Sequence, residues 1–117
     1  MLKVNHTFES GVVQLEVGGQ LDSITAPAFE KKLEELLREE GDFHVVMVCD
    51  DLMYISSAGL RVFLTFAKKM KKRKGHMVLS GLQPTVHGVF ESSGFLGFLK
   101  LCSGLEEAMQ QVHQTVS

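Results

Sequence analysis

Two adjacent serines, Ser56 and Ser57, stand in a segment whose residue types could support covalent modification. They follow Asp50 and Asp51 within residues 50–61, just before a stretch with helical periodicity. A serine at the start of a helix lies beside unpaired backbone N–H groups and the positive end of the helix dipole, and both stabilise an anion. A phosphate on such a serine would therefore be stabilised locally. The alternative interpretation is that either serine only caps the helix.

Intrinsic catalysis has little support in this sequence. It contains no GxSxG elbow, no Walker loop and no pairing of a nucleophile with a base. Gly18 and Gly19 are only a fragment of a phosphate-binding glycine pattern, and such a pair more often marks a bulge or a strand end. We therefore expect a protein that is not an enzyme.

The residue types that bind metals are dispersed along the chain. The five histidines include no i, i+4 pair, and no CxxC or HExxH motif occurs. We therefore expect no metal and no cofactor. The two cysteines, Cys49 and Cys102, are interpreted as small hydrophobic residues of a cytosolic protein rather than as a disulfide.

Length and charge restrict the function further. The chain has 117 residues, enough for one domain, and 44% of them are apolar. Its net charge of −2 does not suggest direct binding to nucleic acid. The basic run at residues 68–74 lacks interleaved aromatic residues, so we interpret it as a solvated helix end rather than as a nucleic-acid or lipid patch.

No segment has the pattern of a membrane span or a leader. The longest apolar run, residues 45–49, is far shorter than the roughly 20 residues that a membrane span needs. The first residues of the chain contain no apolar segment and no small-residue cleavage site. We expect neither a membrane span nor a signal peptide.

The hydrophobic pattern predicts the elements that position the two serines. Two alternating stretches, joined by a turn at Ser10-Gly11, predict an antiparallel hairpin. Two short apolar runs predict buried strands, and residues 98–101 predict a final short strand. The predicted strands are 2–8, 13–17, 44–49, 77–80 and 98–101. Apolar spacings of three and four predict four helices. These begin after Thr25 (the expected N-cap), after Ser56-Ser57, at Pro84, and after a capping box at Ser103.

The order of these elements predicts the fold class. Strands that alternate with helices favour an α/β fold with parallel core strands. Together with the N-terminal hairpin, they predict a mixed sheet and about four helices. No internal repeat or linker divides the chain, so we expect residues 1–117 to form a single domain.

Two motifs in this sequence are similar to those of a known family. Residues 19–27 read GQLDSITAP and residues 51–60 read DLMYISSAGL, with an apolar strand between them. The chain thereby resembles a stand-alone STAS domain and is similar to the bacterial anti-sigma factor antagonists. The predicted order of elements fits the fold of that family.

The resemblance implies a regulator of transcription. Members of this family are switched by phosphorylation of one serine before the Ala/Ser-Gly-Leu step, which here is Ser57, with Ser56 as the alternative acceptor. The implied kinase is the anti-sigma factor itself, an ATPase of the histidine-kinase-like type that phosphorylates serine. The unphosphorylated antagonist would sequester this kinase in the cytoplasm and free a sigma factor, and a PP2C-type phosphatase would reset it. This chain departs from some members at Ser56, where they carry an acidic residue.

The resemblance also implies a partner-binding surface around Ser57. Asp22 and Asp51 are expected near the phosphorylation loop, but Asp22 could instead form a turn before Thr25, and Asp51 could bond to loop amides. The other residues implied at this surface are Ser23, Thr25, Tyr54, Ser56, Ala58, Gly59 and Arg61.

Two other functions remain open as alternatives. One is a non-switching STAS scaffold or accessory subunit in a signalling or lipid-transport assembly. The other is a nucleotide-binding protein that uses the edge at Asp22. A neighbouring gene for a serine kinase of the ATPase type would favour the switch over the scaffold. We expect a monomer or a weak homodimer.

Overall fold

The chain begins with the β-hairpin that its alternating pattern predicts. In this computed structural model, strand β1 (Leu2–Glu9) pairs antiparallel with β2 (Val12–Leu21) along its whole length. Ser10 and Gly11 form the turn, with φ angles of 54° and 78°. Positive φ at both positions belongs to a type I′ turn, whose twist matches that of the two strands.

Helices alternate with shorter strands after this hairpin. The structure describes residues 1–39, 41, 43–94, 99–102 and 104–116, and for 113–116 it describes the backbone alone. The further elements in chain order are α1 (Ala26–Glu39), β3 (His44–Val48), β4 (Leu52–Ile55), α2 (Ser57–Lys72), β5 (Met77–Ser80), α3 (Pro84–Ser92), β6 (Lys100–Cys102) and α4 (Leu105–Val116). Ser103, the expected start of the last capping box, lies outside the described residues.

The strands form one mixed sheet of six strands, which confirms the predicted fold class. Its main path runs β1-β2-β3-β5-β6, where β1 is antiparallel to β2 and the other neighbours are parallel. Parallel strands end at the same edge of a sheet, and ligands and partners commonly bind there. The loop at 22–25 and the segment 50–57 both follow strands at this edge.

Strand β4 is the element that the hydrophobic pattern did not predict. The sequence predicts a loop between the third strand and the second helix, but Leu52–Ile55 pairs in parallel with the end of β2. Because β2 is ten residues long, its first part can pair with β3 and its last residues with β4. The register shifts between Gly19 and Gln20, so the glycine pair lies at a bulge.

Different helices cover the two faces of the sheet. On one face, Val13, Leu15 and Val17 of β2 belong to a core cluster that includes residues of α1, α2 and α3. On the other face, Val12, Val46 and Val78 pack against Ala108 and Val112 of α4. Strand β3 contributes to both clusters, so the prediction that residues 44–49 form a strand covered on both faces is confirmed.

Three phenylalanines hold α2 between its neighbouring helices. The ring centroid of Phe63 lies 5.4 Å from that of Phe29 in α1 and 5.5 Å from that of Phe90 in α3. All three side chains are fully buried, and tilted or edge-on rings at this spacing attract each other. This packing fixes the position of α2, and with it the two serines at its beginning.

Candidate functional site

The two sequence motifs meet where β2, β4 and α2 come together. The backbone N–H of Ser56 donates to the carbonyl of Leu21 at 2.8 Å, which continues the pairing of β4 with β2. Gly59, in the first turn of α2, lies directly on Leu21, since a Cβ built on Gly59 would be 2.6 Å from Leu21 Cγ. Only a residue without a side chain fits there, so Gly59 seats the start of α2 on the end of β2.

Ser56 is the N-cap of α2. Its backbone is extended, with φ −97° and ψ 174°, and its hydroxyl accepts the N–H of Gly59 at 3.3 Å. This is the geometry in which a serine side chain satisfies one free N–H at a helix start. The side chain is partly buried. The capping alternative raised for the pair of serines is therefore realised by Ser56.

Ser57 is the first residue of α2 and is exposed. In the part of the chain that the structure describes, its hydroxyl has no hydrogen-bond partner. The first turn of α2 carries no acidic side chain, so the positive end of the helix dipole is not neutralised locally. Ser57 thus presents a free hydroxyl at a position that accommodates an anion.

The loop at 22–25 is ordered by Asp22. Its carboxylate oxygen Oδ1 accepts the N–H groups of Ile24 and Thr25, both at 3.0 Å, and its own N–H donates to the Thr25 hydroxyl at 2.9 Å. The N–H of Thr25 also lowers the pKa of Asp22, because it stabilises the charged carboxylate. Asp22 therefore forms the turn considered for it, and it lies beside the serines as well.

The hydroxyl of Thr25 orders this loop. It is bonded to Asp22 and lies 3.0 Å from the carbonyl of Gln20. Thr25 stands at the predicted N-cap position, because it directly precedes α1 and its carbonyl accepts the N–H of Phe29 at 3.2 Å. Its hydroxyl does not cap the helix, since Asp22 and Gln20 engage it. The tight turn directs Ser23 and Ile24 outward, and Ile24 is 85% exposed.

Strand β4 adds two more exposed apolar side chains. Its inner residues Leu52 and Ile55 are buried, whereas Met53 and Tyr54 are 58% and 52% exposed. Ile24 is exposed in the loop after β2, and Met53 and Tyr54 are exposed on β4, the strand that leads into the two serines. We name this set the serine-loop surface: Asp22, Ser23, Ile24, Met53, Tyr54, Ser57 and Arg61. Exposed apolar groups of this size are typical of binding sites.

Ile24 and Met53 were not among the residues predicted for the partner surface. A signal was present for Ile24, because a large apolar residue in a polar turn is unusual. For Met53 the sequence held no such signal, since an apolar residue between Leu52 and Tyr54 looks like part of a buried run. Its exposure follows from the position of β4 at the end of β2.

The other predicted residues lie around this surface with different roles. Arg61 is exposed one helical turn after Ser57, so both can lie on one side of α2. Ala58 is partly buried and Gly59 is buried, so they support the serines from beneath. Asp51 is exposed, and its backbone carbonyl accepts the N–H of Gly19 at 2.8 Å. No described loop amide donates to the Asp51 carboxylate, so the suggestion that it orders the serines is unsupported.

A groove lies over β1, β2 and the end of β3. It has a volume of about 370 Å³ and is lined in part by Lys3, Glu16, Gly18, Asp50 and Asp51. Three carboxylates outnumber the two cationic groups, the Lys3 side chain and the amino group of Met1, and this balance disfavours a nucleotide phosphate. The groove gives no support to the nucleotide-binding alternative.

The basic run lies at the far end of α2 and serves the fold. The guanidinium of Arg73 donates to the carbonyls of Leu37 at 2.9 Å and Gly41 at 3.1 Å and lies over the ring of Phe43. Lys69 forms an ion pair with Glu34 of α1 at 3.5 Å. These contacts join the ends of α1 and α2, which favours the interpretation of the run as a structural, solvated helix end.

Three other kinds of site lack support in the described part of the chain: a metal site, a reactive thiol and a membrane-spanning helix. No group of three or more His, Cys, Asp and Glu residues there could hold a metal ion. Burial raises the pKa of the Cys49 thiol to about 12, so this cysteine is an unreactive core residue. Among the described helices, none combines the length and apolar character needed to cross a membrane.

The chain is similar to known proteins along nearly its whole length. Residues 3–108 match the family of STAS domains. BtrV of Bordetella bronchiseptica, which is classed as an anti-sigma factor antagonist, is 40% identical over 90 residues, or 77% of each chain.

Two solved structures show the same fold. A Thermotoga maritima protein, also classed as an anti-sigma factor antagonist, superposes with a TM-score of 0.87 at 22% identity and covers 94% of each chain. The Bacillus cell fate determinant SpoIIAA in its phosphorylated form superposes with a TM-score of 0.70 at 19% identity, covering 96% of this chain and 99% of SpoIIAA. From the family match and the relative at 40% identity, the chain belongs to the STAS domain family, as one of its anti-sigma factor antagonists.

Proposed function

We propose that this antagonist is a phosphorylation-switched binding protein whose acceptor is Ser57. In its unphosphorylated form it sequesters an anti-sigma factor that is also a serine kinase, and so frees a sigma factor. The whole chain, residues 1–117, acts as this single module. The observation that carries the proposal is the exposed hydroxyl of Ser57 at the first position of α2, in a segment that follows the exposed apolar side chains of Met53 and Tyr54.

The different environments of the two serines favour Ser57 over Ser56 as the acceptor. A kinase needs access to the hydroxyl, and Ser57 is exposed without a partner in the described part of the chain. Ser56 is partly buried and its hydroxyl holds the N–H of Gly59. A phosphate on Ser56 would therefore compete with the helix cap, whereas one on Ser57 leaves the cap intact.

The unphosphorylated surface is suited to binding a protein partner. Ile24, Met53 and Tyr54 would each bury apolar area against a partner, at roughly 25 cal/mol per Å² removed from water. Asp22 and Arg61 lie at its rim and can select a partner of complementary charge. As a member of a family of binding proteins rather than enzymes, the chain needs no catalytic group at this site.

Phosphorylation would disfavour that contact without changing the fold. A phosphate adds about −1.5 to −2 charge at neutral pH. The N-terminus of α2 stabilises this charge, so the helix tolerates it. A partner that covers Ile24 and Met53 would have to desolvate the dianion, next to the carboxylates of Asp22 and Asp51. Binding to the partner therefore becomes weaker, while the free energy of unfolding stays nearly constant.

The relatives support the kind of partner and the modification. BtrV is classed as an anti-sigma factor antagonist, and SpoIIAA has been solved in a phosphorylated form. The family resemblance at residues 51–60 adds a kinase of the histidine-kinase-like ATPase type and a PP2C-type phosphatase. Because sigma factors act on RNA polymerase in the cytoplasm, the proposed partners place this protein there.

A phosphotransfer experiment tests the proposal. The chain is incubated with ATP and a serine kinase of the histidine-kinase-like ATPase type, and the product is mapped by mass spectrometry. The proposal expects one phosphate, on Ser57, and loss of the complex between the two proteins after modification. A complex that forms equally well with the phosphorylated chain would favour the non-switching scaffold instead.

A further inference from the structure

The first strand leaves one side of the sheet open. β1 pairs with β2 alone among the described strands, so it is an edge of the sheet. Its eight residues pair with β2 without a register shift, and they contain no proline. Edge strands of this kind are usually interrupted by bulges or prolines, because a regular edge is a template for another strand.

The hairpin determines which backbone groups face the open side. A two-residue turn closes on a hydrogen-bonded pair, here Glu9 and Val12, and bonded pairs then alternate along the strands. Gly19 confirms this alternation, because it lies opposite Leu2 and donates its N–H to Asp51 instead. The residues whose N–H and C=O groups face the open side are therefore Leu2, Val4, His6 and Phe8.

We infer that β1 pairs with β1 of a second copy of this chain, antiparallel and centred on His6. In this register residues 3–9 of one copy face residues 9–3 of the other. His6 then lies opposite His6 and Val4 opposite Phe8, so their outward N–H and C=O groups can bond between the two copies. Phe8, which is 47% exposed, would cover Val4 of the other copy.

Charge complementarity selects this register and this occupant. Centred on His6, Lys3 of each copy lies opposite Glu9 of the other, at a position where the strands approach most closely. Both side chains are exposed, and neither forms an ion pair with a described residue. Centring the pairing on Asn5 would place Lys3 opposite Thr7, and Glu9 beyond the pairing, so both ion pairs would be lost.

This pairing leaves the serine-loop surface free. β4 joins β2 on the side that also carries β3, whereas β1 lies on the opposite side of β2. Self-association would use β1, on one side of β2, and kinase binding would use the surface at β4, on the other side of β2. A dimer presents two serine-loop surfaces, which raises the apparent affinity for any partner that can reach both.

A charge exchange tests the inference. The full chain is studied by sedimentation equilibrium up to about 1 mM, as the wild type, as Lys3→Glu and as Glu9→Lys. Each variant places like charges opposite each other twice per dimer, so we expect its self-association to weaken by at least about tenfold. An equal mixture of the two variants restores opposite charges at both pairs, and we expect a heterodimer of wild-type strength.

Matched controls separate this effect from general changes of charge. Lys31→Glu and Glu30→Lys make the same changes on the exposed side of α1 and should leave self-association unaltered. A wild type that stays monomeric up to the highest concentration would overturn the inference. So would a mixture of the two variants that associates no better than either alone.

Cross-linking tests the register itself. Residues opposite each other in a hydrogen-bonded pair have Cα atoms about 5.5 Å apart, within the range of a disulfide. His6→Cys should therefore form a disulfide dimer on mild oxidation, while Asn5→Cys should not. The native Cys49 and Cys102 are buried and contribute little background. Cross-linking of Asn5→Cys in preference to His6→Cys would contradict the proposed register.

Discussion

The Ser56 hydroxyl accepts the N–H of Gly59 at 3.3 Å, and Gly59 lies against Leu21 at the end of β2. Through this contact, the cap of α2 is attached to the strand that leads into the loop at 22–25. Ser57, the next residue, has no such bond within the described part of the chain and is exposed. The two serines should therefore respond in opposite ways to the same substitution.

Replacing each serine by alanine should separate stability from modification. Ser57→Ala removes an exposed hydroxyl, so we expect no phosphorylation and little change in melting temperature. Ser56→Ala removes the N-cap, which should lower the free energy of unfolding by about 0.5–2 kcal/mol. The Ser56 variant should still accept a phosphate. Thermal melts and intact-mass measurements after treatment with the kinase check both variants.

The opposite pattern of phosphorylation in the two alanine variants would contradict the assignment of Ser57. If Ser57→Ala still takes up phosphate and Ser56→Ala does not, then Ser56 is the acceptor. The hydrogen bond between Ser56 and Gly59 would then have to open before the transfer.

An aspartate at position 57 should release the partner incompletely. Ser57→Asp supplies one charge, whereas a phosphate supplies nearly two charges and three acceptor oxygens. The start of α2 should tolerate the carboxylate, because its charge favours the helix dipole. We expect at least about a tenfold loss of affinity for the ATP-bound kinase, measured by titration, since a buried charge without a partner is unfavourable. Wild-type affinity in a folded variant would show that Ser57 lies outside the interface.

The exposed apolar residues should contribute to partner binding without contributing to the fold. Ile24→Ser and Met53→Ser each remove an exposed side chain from the serine-loop surface. We expect each to weaken kinase binding by roughly tenfold or more, as central apolar contacts in interfaces do, at an unchanged melting temperature. Phe8→Ser is the matched control at concentrations where the chain is monomeric, because Phe8 is also exposed but lies at the end of β1 that is far from the serines. Equal effects of all three variants would mean that the surface is misplaced.

Within the basic run, Arg73 should matter for stability and Lys72 should not. Arg73 bonds to two carbonyls at the end of α1 and lies over Phe43, so Arg73→Ala should lower the free energy of unfolding by about 1–3 kcal/mol. Lys72→Ala removes one exposed charge and should change it by less than about 0.5 kcal/mol. Neither should alter kinase affinity beyond a small effect that salt screens. Urea unfolding and kinase titration measure the two effects separately.

Acid should weaken the loop at 22–25 through Asp22. The N–H of Thr25 holds the pKa of Asp22 below its ordinary value of 3.8. Its ionised form therefore stabilises the fold fully above that value, and this contribution is lost as the pH falls through the lowered pKa. Asp22→Asn can accept the same N–H groups but does not titrate there. We expect the difference in melting temperature between the wild type and Asp22→Asn to be constant above about pH 5 and to change as the pH falls from there through 3.8 and the lowered pKa. A difference that varies near neutral pH would contradict this assignment.

Local patterns in the sequence determined the main elements and the region of the site. Alternation in residues 2–8 and 13–17 predicted the hairpin, and its Ser10-Gly11 turn is a type I′ turn in the structure. The apolar run at 44–49 predicted a strand covered on both faces. These features depend on neighbouring residues and their period, so they can be read from the chain alone.

Tertiary structure alone decided which side chains form the serine-loop surface. β4 exists because the end of β2 offers it a partner strand, and its own four residues show no alternation that predicts a strand. The exposure of Met53 and Ile24 and the different roles of Ser56 and Ser57 follow from that pairing and from the contact of Gly59 with Leu21. Each of these features depends on contacts between residues far apart in sequence, and local periodicity carries no information about such contacts.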